Sequence, residues 1–296
     1  MREKKKIGGR IFDVLNVILM VFLIILTVYP VWNQLILSFA DRQYLYAVTP
    51  QWYPKSFNLD GYQAVLKYKD IWTGYLNTIL RTVLGTFLCL MCTAMFAYPL
   101  TKKDLPANKL ISKAIVFTML FSGGLIPSYL LITNTLHMNN TIWALILPML
   151  VTPYNIFIMR NFFQTVPEAL EESARIDGAG YFRIFWQIIM PLSKPVLATV
   201  ALWIAVAHWQ AWYDNLLYMQ DPSGWGLQMV LREILVSNQS TNMQQAVAAA
   251  FGSGTAVDER QLNSVVIIVG ILPMLVIYPF LQKYMNRGVI LGAVKG

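Results

Sequence analysis

Thr165–Pro195 reads TVPEALEESARIDGAGYFRIFWQIIMPLSKP, a short polar helix and turn set between apolar sequences. Thr165 and Glu168 have the spacing of a capping box, and Pro167 suits a first helical turn. Glu168, Glu171 and Glu172 gather toward the positive end of that helix. Gly178 falls just past its end, where a left-handed residue is needed. Leu170, Ala174 and Gly178 are four apart, so a surface of decreasing bulk faces one way and lets another chain approach the backbone. On spacing alone the favoured reading is an amphipathic connecting helix lying at a membrane surface.

The rest of the chain supplies the membrane. Of 296 residues, 56% are hydrophobic and 13% charged, the latter about half the usual share in soluble domains. Mean hydropathy is +0.50. These values exclude a disordered chain, a small disulfide scaffold and an ordinary cytosolic enzyme. A membrane span takes roughly 20 apolar residues. Six segments qualify, at about 14–40, 73–100, 110–133, 141–163, 192–218 and 262–284. The expected fold class is therefore an all-α integral membrane protein with six transmembrane helices. Tyr29-Pro30 is expected to kink the first, and Pro148, Pro153, Pro273 and Pro279 interrupt the fourth and sixth. The basic flank of the first segment resembles a signal peptide, but the apolar part is too long and no small-residue cleavage site follows.

The net charge of +8 is explained by topology. Most Lys and Arg fall in the N-terminal tail, in 101–113, in 160–194 and near the C-terminus, whereas the opposite segments carry more acids than bases. The positive-inside rule then places both termini in the cytoplasm, and nucleic acid has no support as a partner. The organisation expected is a cytoplasmic basic tail over 1–13, a six-helix domain over 14–284 that includes the loop 165–191, and a cytoplasmic tail over 285–296. Two long outer loops, 41–72 and 219–261, read as partner-contact segments. Cys89 and Cys92 lie in one apolar run, where thiolates are disfavoured, so they read as helix packing.

A fuller pattern changes the reading of the polar helix. Glu172-Ser173-Ala174, three residues, Gly178, nine residues, then Ile188-Ile189-Met190-Pro191 resembles the EAA motif of ABC importer permeases, E-A-A, x3, G, x9, I-x-L-P. Ser173 and Met190 depart from it by size-conservative replacements. Nearly the whole chain resembles the maltose-type carbohydrate permeases, second-permease type. The features are Pro50, Pro54, Phe57-Asn58-Leu59 and Tyr62 in the first outer loop, Ala211-Trp212-Tyr213-Asp214, and the tail Gly288, Gly292, Ala293, Val294, Lys295 and Gly296. Among subfamilies it looks most like importers of complex oligosaccharides and polysaccharides, including the alginate importer.

The resemblance implies a type I ABC importer permease fold in a bacterial plasma (inner) membrane, with a cytoplasmic coupling helix that docks on an ATP-binding subunit. Carried over, Glu172 is the acidic anchor, Ala174 the close-contact residue, Asp177 and Gly178 the turn, Pro191 the end of the motif, and Lys295 a tail residue reaching between ATP-binding subunits. The implied partners are a homologous second permease, two ATP-binding subunits, an extracellular or periplasmic solute-binding protein, a carbohydrate and the lipid bilayer. The sequence has no G-x-x-x-x-G-K-[ST] phosphate loop and no metal-ligand spacing. No cofactor and no catalytic residue are therefore expected on this chain, with ATP and Mg at the partner subunits.

The run HWQAWYDN, 208–215, lies in the fifth apolar segment. Polar side chains inside a membrane usually face a bundle interior or a water-filled route. Aromatic rings stack on sugars, while amides and carboxylates bind hydroxyls. On that reading His208, Trp212, Tyr213 and Asp214 border a translocation path; an aromatic belt at the outer interface explains the run equally well. Asn77 and Arg81 are one turn apart on the second segment. Arg81 would suit an acidic sugar there, but pairing with a partner chain or snorkelling outward is favoured. The competing classes are an ABC permease for another solute, an ion-driven secondary transporter, which would need intramembrane acids and an inverted repeat, and an intramembrane enzyme.

Overall fold

The computed structural model describes residues 7–47, 51–237 and 257–293, and among these every regular element is helical. The main helices are α1 Ile7–Ser38, α2 Asp60–Lys67, α3 Lys69–Ala97, α4 Asn108–Leu120, α5 Leu125–Leu130 and α6 Ile142–Ile146. They continue with α7 Pro153–Phe163, α8 Glu168–Ile176, α9 Lys194–Gln210, α10 Tyr213–Tyr218, α11 Leu227–Ser237 and α12 Glu259–Ala293.

Three stretches are long and apolar enough to cross a membrane unaided: Ile11–Ser38, Lys69–Thr101 and Glu259–Tyr278. Three bent pairs of helices reach the same length and apolarity when taken together, which gives six if each pair is one span. Asn108–Leu120 meets Leu125–Thr135 at 109°, Ile142–Met149 meets Pro153–Phe163 at 53°, and Tyr181–Leu192 meets Lys194–Gln210 at 83°. The bends have local causes. Gly124 has φ +88°, which a glycine adopts without a Cβ clash. Pro148 and Pro153 remove two backbone donors at the second break. Pro195 sits in the first turn of α9, where its missing N–H costs nothing.

The expected boundaries need correction at four places. The third run breaks at Gly123-Gly124. The fifth does not run as one helix over 192–218: α9 ends at Gln210 and the chain restarts at Tyr213. Residues 7–13 and 285–293, read as tails, are helical. The outer loop 219–261 contains α11, which its apolar face folds into a packed element.

The helices form two compact units. One comprises the described residues up to Tyr68 with Glu233–Leu272. In it α1 exposes its apolar side chains along most of its length and buries only its end, at Ile36, Leu37 and Ser38. The first loop folds back onto that end. Phe39 packs between Phe57 (5.5 Å) and Tyr62 (5.1 Å), and the Tyr62 and Ser38 hydroxyls lie 2.8 Å apart. Asn58 accepts from the Asp60 N–H at 2.7 Å just ahead of α2. The Gln261 side chain donates to the carbonyls of Ser38 and Asn58 at 3.4 and 3.3 Å. The Phe57-Asn58-Leu59…Tyr62 pattern is thus a closure of the loop on the start of α12.

The second unit comprises Lys69–Arg232 with the described residues from Pro273. Its axis is α3, whose Gly74, Thr78, Arg81, Gly85 and Cys89 are buried on one face at helical spacing. Toward Ala97, Met159, Phe163, Ile184, Phe185, Ile189 and Val200 form a core with α3. Two glycines set how closely the neighbours approach. A Cβ at Gly74 would meet the Leu227 backbone at 3.1 Å, and one at Gly85 would meet His208 Nε2 at 2.6 Å. Gly85→Ala is expected to destabilise the chain by about 1–3 kcal/mol, the usual cost of overpacking. The cost falls when His208 is also alanine, and denaturation of the purified single and double variants in detergent checks this.

Candidate functional site

The singled-out residues gather in two clusters along α3. The first is at its Ala97 end, around α8. The capping box does not form. Pro167 biases Val166 toward an extended backbone, so the helix starts at Glu168 with Pro167 at the N-cap. The Thr165 hydroxyl instead donates back to the Phe162 carbonyl at 2.7 Å. The other end follows the pattern: Gly178 has φ +80°, and the N–H groups of Ala179 and Gly178 close on the carbonyls of Ala174 and Arg175 at 2.9 and 3.0 Å. This is a Schellman motif.

One face of α8 is tied down. Glu171 accepts from the Tyr98 hydroxyl at 3.1 Å and forms an ion pair with Lys102. The Lys102 ammonium lies 4.4 Å from the centre of the Tyr98 ring. Arg175 stacks over Tyr181 at 4.5 Å. The Tyr181 hydroxyl donates to Asp104 at 2.9 Å, which holds the Asp104 carboxyl below its usual range. Ala174 is half-buried against the core. The other face is free: Glu172, Asp177 and Gly178 are exposed, and Ile176 is 86% exposed. The Leu170–Ala174–Gly178 stripe is therefore divided, with Ala174 facing inward. Pro191 is exposed on the helical turn Met190–Leu192. Lys295 lies outside the described residues.

The second cluster is in the Lys69 half of α3, around Arg81. Arg81 does not snorkel outward; it is 2% exposed. Its guanidinium forms an ion pair with Asp214, with Nη1 to Oδ1 at 3.1 Å, and donates to the Leu145 carbonyl at 3.1 Å and the Ala211 carbonyl at 3.5 Å. Those carbonyls belong to helix breaks. Leu145 lies where α6 gives way to the 3-10 turn Leu147–Met149, and α9 ends beside Ala211. A buried charge needs partners, and interrupted helices have carbonyls to spare. Each solves the other's problem. Asp214 also accepts from the Asn215 backbone N–H at 2.9 Å and side chain at 3.1 Å.

This network extends over the chain that follows. Asn215 accepts from the Gly226 N–H at 2.9 Å, and Thr78 from the Leu227 N–H at 2.8 Å. Asn77 donates to the carbonyls of Ser223 and Trp225 at 2.9 and 3.0 Å. Asn77 and Arg81 thus fasten 211–227 to α3. His208 is 1% exposed; its Nε2 sits 3.6 Å from Cys89 Sγ, which is a free thiol. Trp212 and Tyr213, 38% and 46% exposed, are the more open members. The sequence reading placed Glu171 only at the helix start and Asn215 only in the run 208–215, and it missed Tyr98 and Lys102 in the first cluster and Thr78 and Arg232 in the second. The only available signal was helical phase: Glu171, not Glu172, shares a face with Ala174.

The description "binding-protein-dependent transport system inner membrane component" belongs to the family model that matches residues 7–291. Protein LplC of Bacillus subtilis (strain 168) is 40% identical over 294 residues, 98% of this chain and 96% of its own length. The polygalacturonan/rhamnogalacturonan transport system permease protein YtcP of the same organism is 35% identical, covering 97% and 99%. Among solved structures, a crystal structure of a bacterial ABC transporter involved in the import of the acidic polysaccharide alginate superposes with a TM-score of 0.87 at 26% identity, covering 95% of this chain and 99% of that one.

Arg81→Met or Asp214→Leu alone leaves one buried charge unpaired and is expected to cost about 3–5 kcal/mol. The double substitution costs less than the two singles together. Detergent denaturation of the three variants reads the coupling between the two sites, and strictly additive losses would contradict the pairing.

Proposed function

We propose, because this chain belongs to the family of binding-protein-dependent transport system inner membrane components, that it is a permease subunit of an ATP-driven importer of oligosaccharides or polysaccharides. The protein is a multi-pass membrane protein of all-α, type I ABC permease architecture. Carbohydrate is the solute class favoured by the relatives, one a permease for polygalacturonan and rhamnogalacturonan and one an importer of alginate. The chain sits in a bacterial plasma membrane with both termini and the Ala97 end of α3 in the cytoplasm. It forms half of the path with a homologous permease and receives sugar from a solute-binding protein. It hydrolyses no ATP itself; ATP and Mg bind at two partner subunits.

The observation that carries the coupling role is the division of α8. Glu171 ties one side to Tyr98 and Lys102 and Arg175 packs over Tyr181, and Glu172, Ile176, Asp177 and Gly178 present the other. A push received on the free face passes through the anchored face to α3. Nucleotide-driven closure would thus move the membrane helices as packed bodies, in alternating access. An ion-driven carrier is disfavoured because Asp214, the acid near a span that it would use, is engaged by Arg81.

With its partner subunits in proteoliposomes, the wild-type chain should support ATP-dependent accumulation of a labelled oligosaccharide. Glu172→Lys and Gly178→Val should each reduce sugar-stimulated ATP hydrolysis about tenfold or more, the scale of losing a buried interface contact. Rates unchanged by both substitutions would contradict the coupling role.

A further inference from the structure

The guanidinium of Arg232 lies 4.8 Å from the centre of the Trp212 ring, and Trp212 meets Tyr213 edge-on at 5.6 Å and 82°. The three side chains come from two separate elements. Trp212 and Tyr213 sit at the break after α9, which Arg81 holds through the Ala211 carbonyl and Asp214. Arg232 is carried by α11, whose Leu227 and Val230 are pressed into the Gly74 notch of α3. Both supports are hydrogen-bonded or packed, so the group is held in place rather than merely adjacent.

The charge balance of the group is uneven. Asp214 is the nearest acid in sequence to the aromatic pair, and it is already paired with Arg81. Among the described residues no carboxylate forms an ion pair with Arg232. The result is two exposed rings and a half-buried cation with donors left over. Aromatic rings of this kind accept the apolar face of a pyranose. A guanidinium stacked on an indole keeps its N–H donors at its edge, in the fork geometry that matches a carboxylate.

We propose that Trp212, Tyr213 and Arg232 form a subsite for an acidic sugar, in which the rings hold a uronate ring and Arg232 binds its carboxylate. This rests on the carbohydrate reading above and assigns it a substrate charge. It also moves the anion-selecting role from Arg81, whose two Nη groups are engaged by Asp214 and two carbonyls, to Arg232.

The test is equilibrium dialysis of labelled trigalacturonate and its trimethyl ester against the complete permease complex, held with a non-hydrolysable ATP analogue in nanodiscs without binding protein. The wild type should bind the acid about tenfold more tightly than the ester, the range of one charge-assisted hydrogen bond. Arg232→Gln should bring the two affinities together, Arg232→Lys should keep most of the difference, and Trp212→Ala should weaken both sugars. Equal wild-type binding of acid and ester overturns the subsite and leaves the carbohydrate reading standing. An Arg232→Gln variant that weakens both sugars alike also overturns it, because Arg232 would then act only through structure. Binding of neither sugar by the wild type overturns both readings.

Discussion

A guanidinium buried in an apolar helix decides how the second unit is built. Arg81 needs partners wherever water is excluded. It finds them in one carboxylate and in two carbonyls at the ends of interrupted helices. The breaks at Pro148 and Ala211 and the charge on α3 therefore belong to one design. Without the breaks, Arg81 would lack acceptors; without Arg81, the Leu145 and Ala211 carbonyls would lose a donor. Asn77, Thr78 and Asn215 extend the same arrangement to 219–227, so a stretch that looks like a loop is held against α3.

The other end of α3 repeats the logic with different chemistry. Tyr98 and Lys102 receive Glu171, and the core below them contains Phe185 and Ile189 from the segment after α8. With 29 residues, α3 is about 44 Å long at 1.5 Å per residue. It joins the anchored face of α8 to the Arg81 cluster without a break. Gly85 lets α9 lie close enough for His208 to fill the notch, so the middle of the rod is packed as well as its ends. On the proposed function, this continuity carries a displacement from the cytoplasmic face to the sugar-facing side.

Much of this was legible in the residues, and the parts that were not share a cause. Apolar runs of span length were plain, as was the turn at Gly178, because each is set by local chemistry. The start of α8 was misread because the capping box pattern competes with Pro167, and proline's restriction on Val166 wins. The bends were half visible: the prolines of the fourth run announce one, the Gly123-Gly124 pair was a local signal passed over, and the end of α9 at Gln210 depends on what packs beside it. Arg81 could not be placed from its own segment, since its partner is 133 positions away. α11 was hidden in a loop because its apolar face has meaning only against Gly74. Glu172 carries the motif letter, but the neighbouring Glu171 makes the internal bonds, a difference that only the phase of a packed helix reveals.

Through α3 the two clusters move as one body. The most direct measurement is a pulsed electron-spin distance between labels at Ile176 and Leu216, both exposed, in the assembled transporter with Cys92 replaced by serine. A rigid α3 gives the same distance with and without a non-hydrolysable ATP analogue, while the distance from Ile176 to a label on the partner permease changes. A shift of the Ile176–Leu216 distance as large as the change between subunits would contradict it.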